Sequence, residues 1–150
     1  MKNWLMRWHE LKRKHPKGVL YTISALLPMT IMLVVWYFMG SYPFGNKSLM
    51  AVDFGQQYIS FFGLLKNAVL SGDLSSLTYS FTKSLGGDMI GILGYYLMSP
   101  FNIIYIVLPF KYYGLAVVLT IWLRYGAIGI SFAHLLIKRF KGAESKIWMV

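Results

Sequence analysis

The sequence predicts an all-α membrane protein: two transmembrane helices with both chain ends cytoplasmic, flanking a large outer loop that carries juxtamembrane, interfacial helices. Three observations predict it. From Val19 to Met39 there is no acidic or basic residue and no histidine, and an uncharged apolar run of about 20 residues is long enough to cross a bilayer core as a helix. A basic cluster of Lys2, Arg7, Lys12, Arg13, Lys14 and Lys17 leads into that run, and Lys and Arg beside a span stay on the cytoplasmic face. The 150 residues are 57% hydrophobic and only 13% charged, with a mean hydropathy of +0.53, whereas a soluble domain carries about a quarter charged residues.

The same composition excludes other classes. The net charge of +10 gathers at the two chain ends, beside apolar runs, where it faces anionic lipid headgroups. No folded basic face or motif accompanies it, so no nucleic-acid partner is expected. There is no cysteine, hence no disulfide and no thiolate metal site. The first apolar run exceeds the 7–15 residues of a signal-peptide core and no small-x-small cleavage site follows, so it is expected to remain as an anchor.

In order along the chain, residues 1–18 read as a basic cytoplasmic segment. Trp4, Leu5, Trp8 and Leu11 recur at helical spacing between cations, the pattern of a short helix lying on the inner leaflet, ended by Pro16 and Gly18. Residues 19–39 are the first span, with Pro28 inside it. Residues 40–111 form the outer loop. Within it Phe54, Tyr58, Phe61, Phe62, Leu65 and Val69 keep to one helical face, which predicts an interfacial helix stopped by Ser71-Gly72-Asp73. A turn-rich loop follows from Ser75 to Asp88.

The uncharged run Met89–Phe110 is long enough to span, which leaves two or three spans open. Two spans keep Lys138, Arg139, Lys141 and Lys146 on the cytoplasmic side, as the charge rule requires. Pro100 should break the run into two short helices, so it is read as interfacial or re-entrant. Residues 112–137 are the second span, and 138–150 a basic tail, with Ile147–Val150 resembling the start of another apolar segment. Arg124 lies about 18 Å along the second span at 1.5 Å per residue. Insertion there costs about 2.5–3.5 kcal/mol, and neither span contains an acidic residue. Its expected partner is therefore lipid phosphate, water, or protein outside this chain.

Two motifs are set aside. Gly40–Ser48 approaches a phosphate-binding loop, but Asn46 separates Gly45 from Lys47 and breaks the spacing. Asn46-Lys47-Ser48 is a glycosylation sequon. His134 is a lone histidine expected to pack or to sit at the interface.

Pro43-Phe44-Gly45, Ser48-Leu49-Met50, Asp53 with Gln57-Tyr58 and Phe61-Phe62, Tyr79-Ser80-Phe81, Leu85-Gly86-Gly87 and Tyr95-Tyr96-Leu97-Met98-Ser99-Pro100-Phe101-Asn102 together resemble the N-terminal part of the bacterial YfhO family, membrane glycosyltransferases of the GT-C class. The resemblance covers roughly residues 19–137. It implies a fragment of a larger polytopic fold that moves a sugar from a polyprenyl-phosphate carrier to a cell-envelope polymer such as lipoteichoic acid. The partners so implied are the bilayer, that donor, that acceptor and the remaining C-terminal part of the fold.

Asp53 is the catalytic candidate. Such a transfer needs one carboxylate to accept the acceptor hydroxyl's proton, because the departing phosphate needs little protonation. Capping the helix that begins at Phe54 is its competing role, and both can coexist. Tyr79, Phe81, Gly86 and Gly87 are candidates for the sugar or acceptor site, and Arg124 for a buried cavity charge. The class implies a divalent ion in many members, yet no second carboxylate lies near Asp53 in sequence, and no metal ligand is assigned. Asp73 and Asp88 read as turn or cap residues. A small non-enzymatic membrane assembly protein with two or three spans is the rival reading.

Overall fold

The computed structural model describes residues 16–81 and 86–140. The helix expected on the inner leaflet lies almost entirely outside these residues, as does the tail beyond Phe140. Among the described residues the regular structure is helical apart from one short hairpin of two-residue strands. Two helices are long and apolar enough to cross a membrane among the described residues, Lys17–Met39 and Phe110–Arg139.

The first long helix, α1, runs Pro16–Met39. Within the described residues it already includes positions ahead of the span expected from residue 19. The second long helix, α5, runs Tyr113–Arg139 and carries Lys138 and Arg139 in its final turn, where cations favour the helix C-terminus.

The chain divides into two compact units, residues 1–35 with 122–150, and residues 36–121. In the first, α1 and α5 pack antiparallel. Tyr21 meets His134, with Oη and Nδ1 2.8 Å apart and the rings stacked. Further along, Trp122 Nε1 donates to the Met29 carbonyl at 3.1 Å. Between them the surface of α5 is small: a side chain on Gly126 would come within 2.6 Å of Met29 Sδ, and one on Gly129 would collide with the Ser24 carbonyl oxygen. Small residues let helices approach this closely in apolar surroundings. His134 thus has a partner that its isolation in the sequence does not announce.

The second unit holds the interfacial helix. Phe54–Tyr58 forms a π-helical turn that leads into α2, Ile59–Ser71. Gly72 ends α2 in the left-handed conformation at φ +74°, as glycine does at helix C-termini. Phe62, Leu65 and Ala68 turn inward with Leu77, Leu97, Tyr105, Tyr113, Ala116 and Val117. Val69 is 44% exposed, so the predicted face is corrected there: stepping by three from Phe62 through Leu65 puts Ala68 in the core. Tyr105, 1% exposed, stacks on Phe62 at 3.9 Å between centroids.

The expected break at Pro100 is present. The short helix α3, Ile90–Ile92, continues as a π turn over Leu93–Leu97; a 3-10 turn at Pro100–Asn102 leads into α4, Ile103–Val107. The two arms, Ile90–Leu97 and Pro100–Val107, meet at 88°. Each is about 12 Å long at 1.5 Å per residue, far short of the roughly 30 Å bilayer core. Ser99 takes extended backbone, φ −70° and ψ 131°, as a residue before proline prefers. The buried Asn102 Nδ2 then donates to the Tyr96 and Leu97 carbonyls at 2.8 and 3.1 Å, satisfying oxygens that the ended helix leaves without donors. Lys66 Nζ donates to the Leu108 carbonyl at 2.6 Å and ties α2 to the end of α4.

Candidate functional site

The segment before Asp53 is closed on itself. Ser41 and Lys47 form a β-bridge, and the backbone amides of Tyr42 and Lys47 donate to the carbonyls of Lys47 and Gly40. Gly45 lies so close to the Gly40 carbonyl that no side chain fits. Beyond this loop Ser48 Oγ accepts from the Met50 amide at 3.0 Å. A cavity of about 260 Å³ is lined by Tyr42, Asn46, Ser48 and Met50 of this stretch and by Gly114 and Val118 of α5.

Val52, immediately before Asp53, has φ +51°. A β-branched residue in the left-handed region is a true outlier, and such strain costs on the order of 1–3 kcal/mol and collects at functional sites. Asp53 itself is helical, at φ −57° and ψ −33°, and its side chain makes no capping hydrogen bond. The carboxylate is exposed. The capping role that competes for this residue is therefore not taken up.

The π turn after Asp53 faces the π turn of Leu93–Leu97 through aromatic rings. Phe54 stacks on Tyr58 at 5.3 Å. Tyr58 meets Tyr96 edge-on at 4.4 Å, and Tyr95 meets Tyr96 edge-on at 4.5 Å. Phe61 stacks on the Tyr96 ring at 5.8 Å. The Tyr58 phenol is held above its ordinary pKa first by a hydrogen bond with the Tyr96 side chain, then by burial, with smaller contributions from Tyr95 and the Asp53 charge. The π turn is a frequent companion of functional sites. Sequence reasoning assigned no role to Tyr58, Tyr95 or Tyr96, although all three stand in the motifs that carry the family resemblance.

The structure gathers Tyr79, Phe81, Gly86 and Gly87 in one place. Strands β1, Tyr79–Ser80, and β2, Gly87–Asp88, pair antiparallel, with Tyr79 opposite Asp88 and Ser80 opposite Gly87. This hairpin lies within the expected turn-rich loop; its residues 82–85 lie outside the described ones. Gly86, at φ +100°, comes so near Tyr79 that an added Cβ would lie 2.6 Å from the phenol oxygen. Tyr79 and Phe81 meet edge-on at 5.2 Å, and Phe81 is 80% exposed.

Asp73 and Asp88 take the turn roles read from the sequence. Asp73 Oδ1 accepts from the Ser75 amide at 3.0 Å and from Ser75 Oγ at 2.6 Å, which holds its carboxyl below the usual carboxylate range. Asp88 Oδ1 accepts from the Ile90 amide at 3.1 Å and opens α3.

Arg124 belongs to the helix-pair unit, not to the unit that holds Asp53. It is half-buried and has an interaction within the protein. This corrects the expectation that its partner must lie outside the chain, which followed from counting acidic residues alone. Among the described residues no group of three or more His, Cys, Asp or Glu side chains is placed to hold a metal ion.

The family model for the bacterial membrane protein YfhO matches residues 24–150. No curated protein and no solved structure matches the chain.

Proposed function

The chain belongs to the YfhO family of bacterial membrane proteins, and on that premise we propose that it is part of a membrane glycosyltransferase acting at the outer face of the cell membrane. The donor is a sugar on a polyprenyl-phosphate carrier and the acceptor a hydroxyl of a cell-envelope polymer such as lipoteichoic acid. The observation that carries this reading is Asp53: an exposed, uncapped carboxylate held by strained backbone at the head of a π turn.

In the proposed reaction the Asp53 carboxylate accepts the acceptor hydroxyl's proton. The hydroxyl oxygen bonds to the anomeric carbon as the bond from that carbon to the phosphate oxygen breaks, and the polyprenyl phosphate departs with the electron pair. Configuration inverts. The hairpin rings of Tyr79 and Phe81, with Gly86 and Gly87, would line the sugar or acceptor path, and Arg124 would lie in a membrane cavity.

This reading places both chain ends in the cytoplasm and residues 40–111 outside. Single cysteines at positions 76 and 145 test that placement: an impermeant thiol reagent should label Ser76→Cys in intact cells and spare Ser145→Cys. Equal labelling of both contradicts it. The activity is tested by replacing the chromosomal allele with Asp53→Asn and measuring glycosylation of envelope polymers by mass spectrometry. Loss of the sugar with normal protein level supports the enzyme. Full glycosylation in the variant supports a non-enzymatic assembly protein instead.

A further inference from the structure

Transfer at Asp53 requires a surface that holds a sugar ring beside the carboxylate. We propose that Tyr58, Tyr95 and Tyr96 form a carbohydrate platform for the glycosyl group transferred there; this rests on the reading of Asp53 as the base.

The geometry is that of a fixed ring array. Tyr96 stands edge-on to both Tyr58 and Tyr95, at 4.4 and 4.5 Å, and Phe61 stacks on it at 5.8 Å. Buried Asn102 grips the carbonyl of Tyr96, so the ring's backbone has little freedom. Tyr95 is 77% exposed and offers an open ring at the edge of the array. Tyrosine combines an apolar face with a polar tip at small conformational cost.

A pyranose has the complementary chemistry: one face of C–H groups to lie on a ring, and hydroxyls to reach carboxylates, amides and phenols. Those polar groups are at hand, since Asp53, Gln56 and Gln57 are all exposed on the helical turn that carries Tyr58. An aromatic side chain exposed near a membrane can also be a lipid anchor. The acidic charge and two carboxamides on the chain segment that carries Tyr58 favour a neutral polyol over an anionic headgroup.

The test uses the whole protein in detergent and three probes: the methyl glycosides of glucose, galactose and N-acetylglucosamine, followed by saturation-transfer NMR. At least one should receive saturation from the wild type. Tyr95→Ala should weaken that binding about tenfold, the change given by losing roughly 1.4 kcal/mol of contact, and Tyr95→Phe, which keeps the ring, should restore most of it. Asp53→Asn should still bind the glycoside although it no longer transfers sugar. Failure of all three glycosides to bind, or unchanged binding by Tyr95→Ala, overturns the platform and leaves the role of Asp53 intact. Retained transfer by Asp53→Asn refutes the base, whatever the glycosides do.

Discussion

Gly129 packs against the carbonyl oxygen of Ser24, the oxygen that Pro28 leaves without its helical donor. Proline at position 28 has no N–H to return to residue 24, and a Cβ on Gly129 would occupy the place of that oxygen and crowd Pro28 Cγ at 3.3 Å. The two residues that would weaken either helix in isolation therefore meet in one contact. Gly129→Ala should lower the melting temperature in detergent, with a destabilisation of about 1–3 kcal/mol, the usual cost of overpacking. An unchanged melting temperature would mean the helices separate there at no cost.

Asn102→Ala should destabilise the residue 36–121 unit by about 1–3 kcal/mol, because it leaves the Tyr96 and Leu97 carbonyls buried without a donor. Asn102→Asp should be at least as harmful, since a carboxylate cannot donate. Hydrogen exchange across residues 93–107 reads the effect directly: faster exchange is expected in both variants, and wild-type protection in either would contradict the role of Asn102.

Val52→Gly should stabilise the fold by about 1–2 kcal/mol by relieving the left-handed strain, while lowering sugar transfer as the aim of the Asp53 carboxylate loosens. Measuring melting and transfer on the same preparations separates the two effects. A variant that is more stable and equally active would show that the strain has no bearing on Asp53.

The Asp73 carboxyl should titrate below the usual range in the folded protein, because two hydrogen bonds from Ser75 favour its charged form. Its folded value lies below its unfolded value of about 3.9, so the stability it contributes is present above that pH and is lost as pH falls through the folded value. Carbon NMR of labelled aspartate should show this, and Ser75→Ala should move the titration back upward. An Asp73 titration at the ordinary position would refute the assignment.

Much of the helical plan can be read directly in the residues. The charge-free run to Met39, the Gly72 stop and the Pro100 break each depend on a local rule that one residue type enforces. The two π turns are not legible, because five residues are too few for hydropathy to tell a wide turn from an ordinary one. The strands at Tyr79–Ser80 and Gly87–Asp88 are too short to show alternation. Asp53 stands out by chemistry, but its strained neighbour Val52 does not, since a valine in sequence gives no sign of a left-handed φ. Tyr58 and Tyr96, like Tyr21 and His134, are brought together across long stretches of chain by packing that no spacing in the sequence encodes. Arg124 illustrates the opposite error: counting carboxylates in the two spans left it without a partner, yet it has an interaction within the protein.

The most direct test of the central claim is the rate of sugar transfer by Asp53→Asn. Washed membranes containing the protein are given a polyprenyl-phosphate-linked radiolabelled sugar, and label entering envelope polymer is counted against the wild type. Asparagine keeps the size of the side chain and removes the base. The expected loss is about 10²–10⁴-fold, the range of general-base contributions, with Asp73→Asn and Asp88→Asn retaining most activity as turn residues. Transfer by Asp53→Asn at close to the wild-type rate would contradict it.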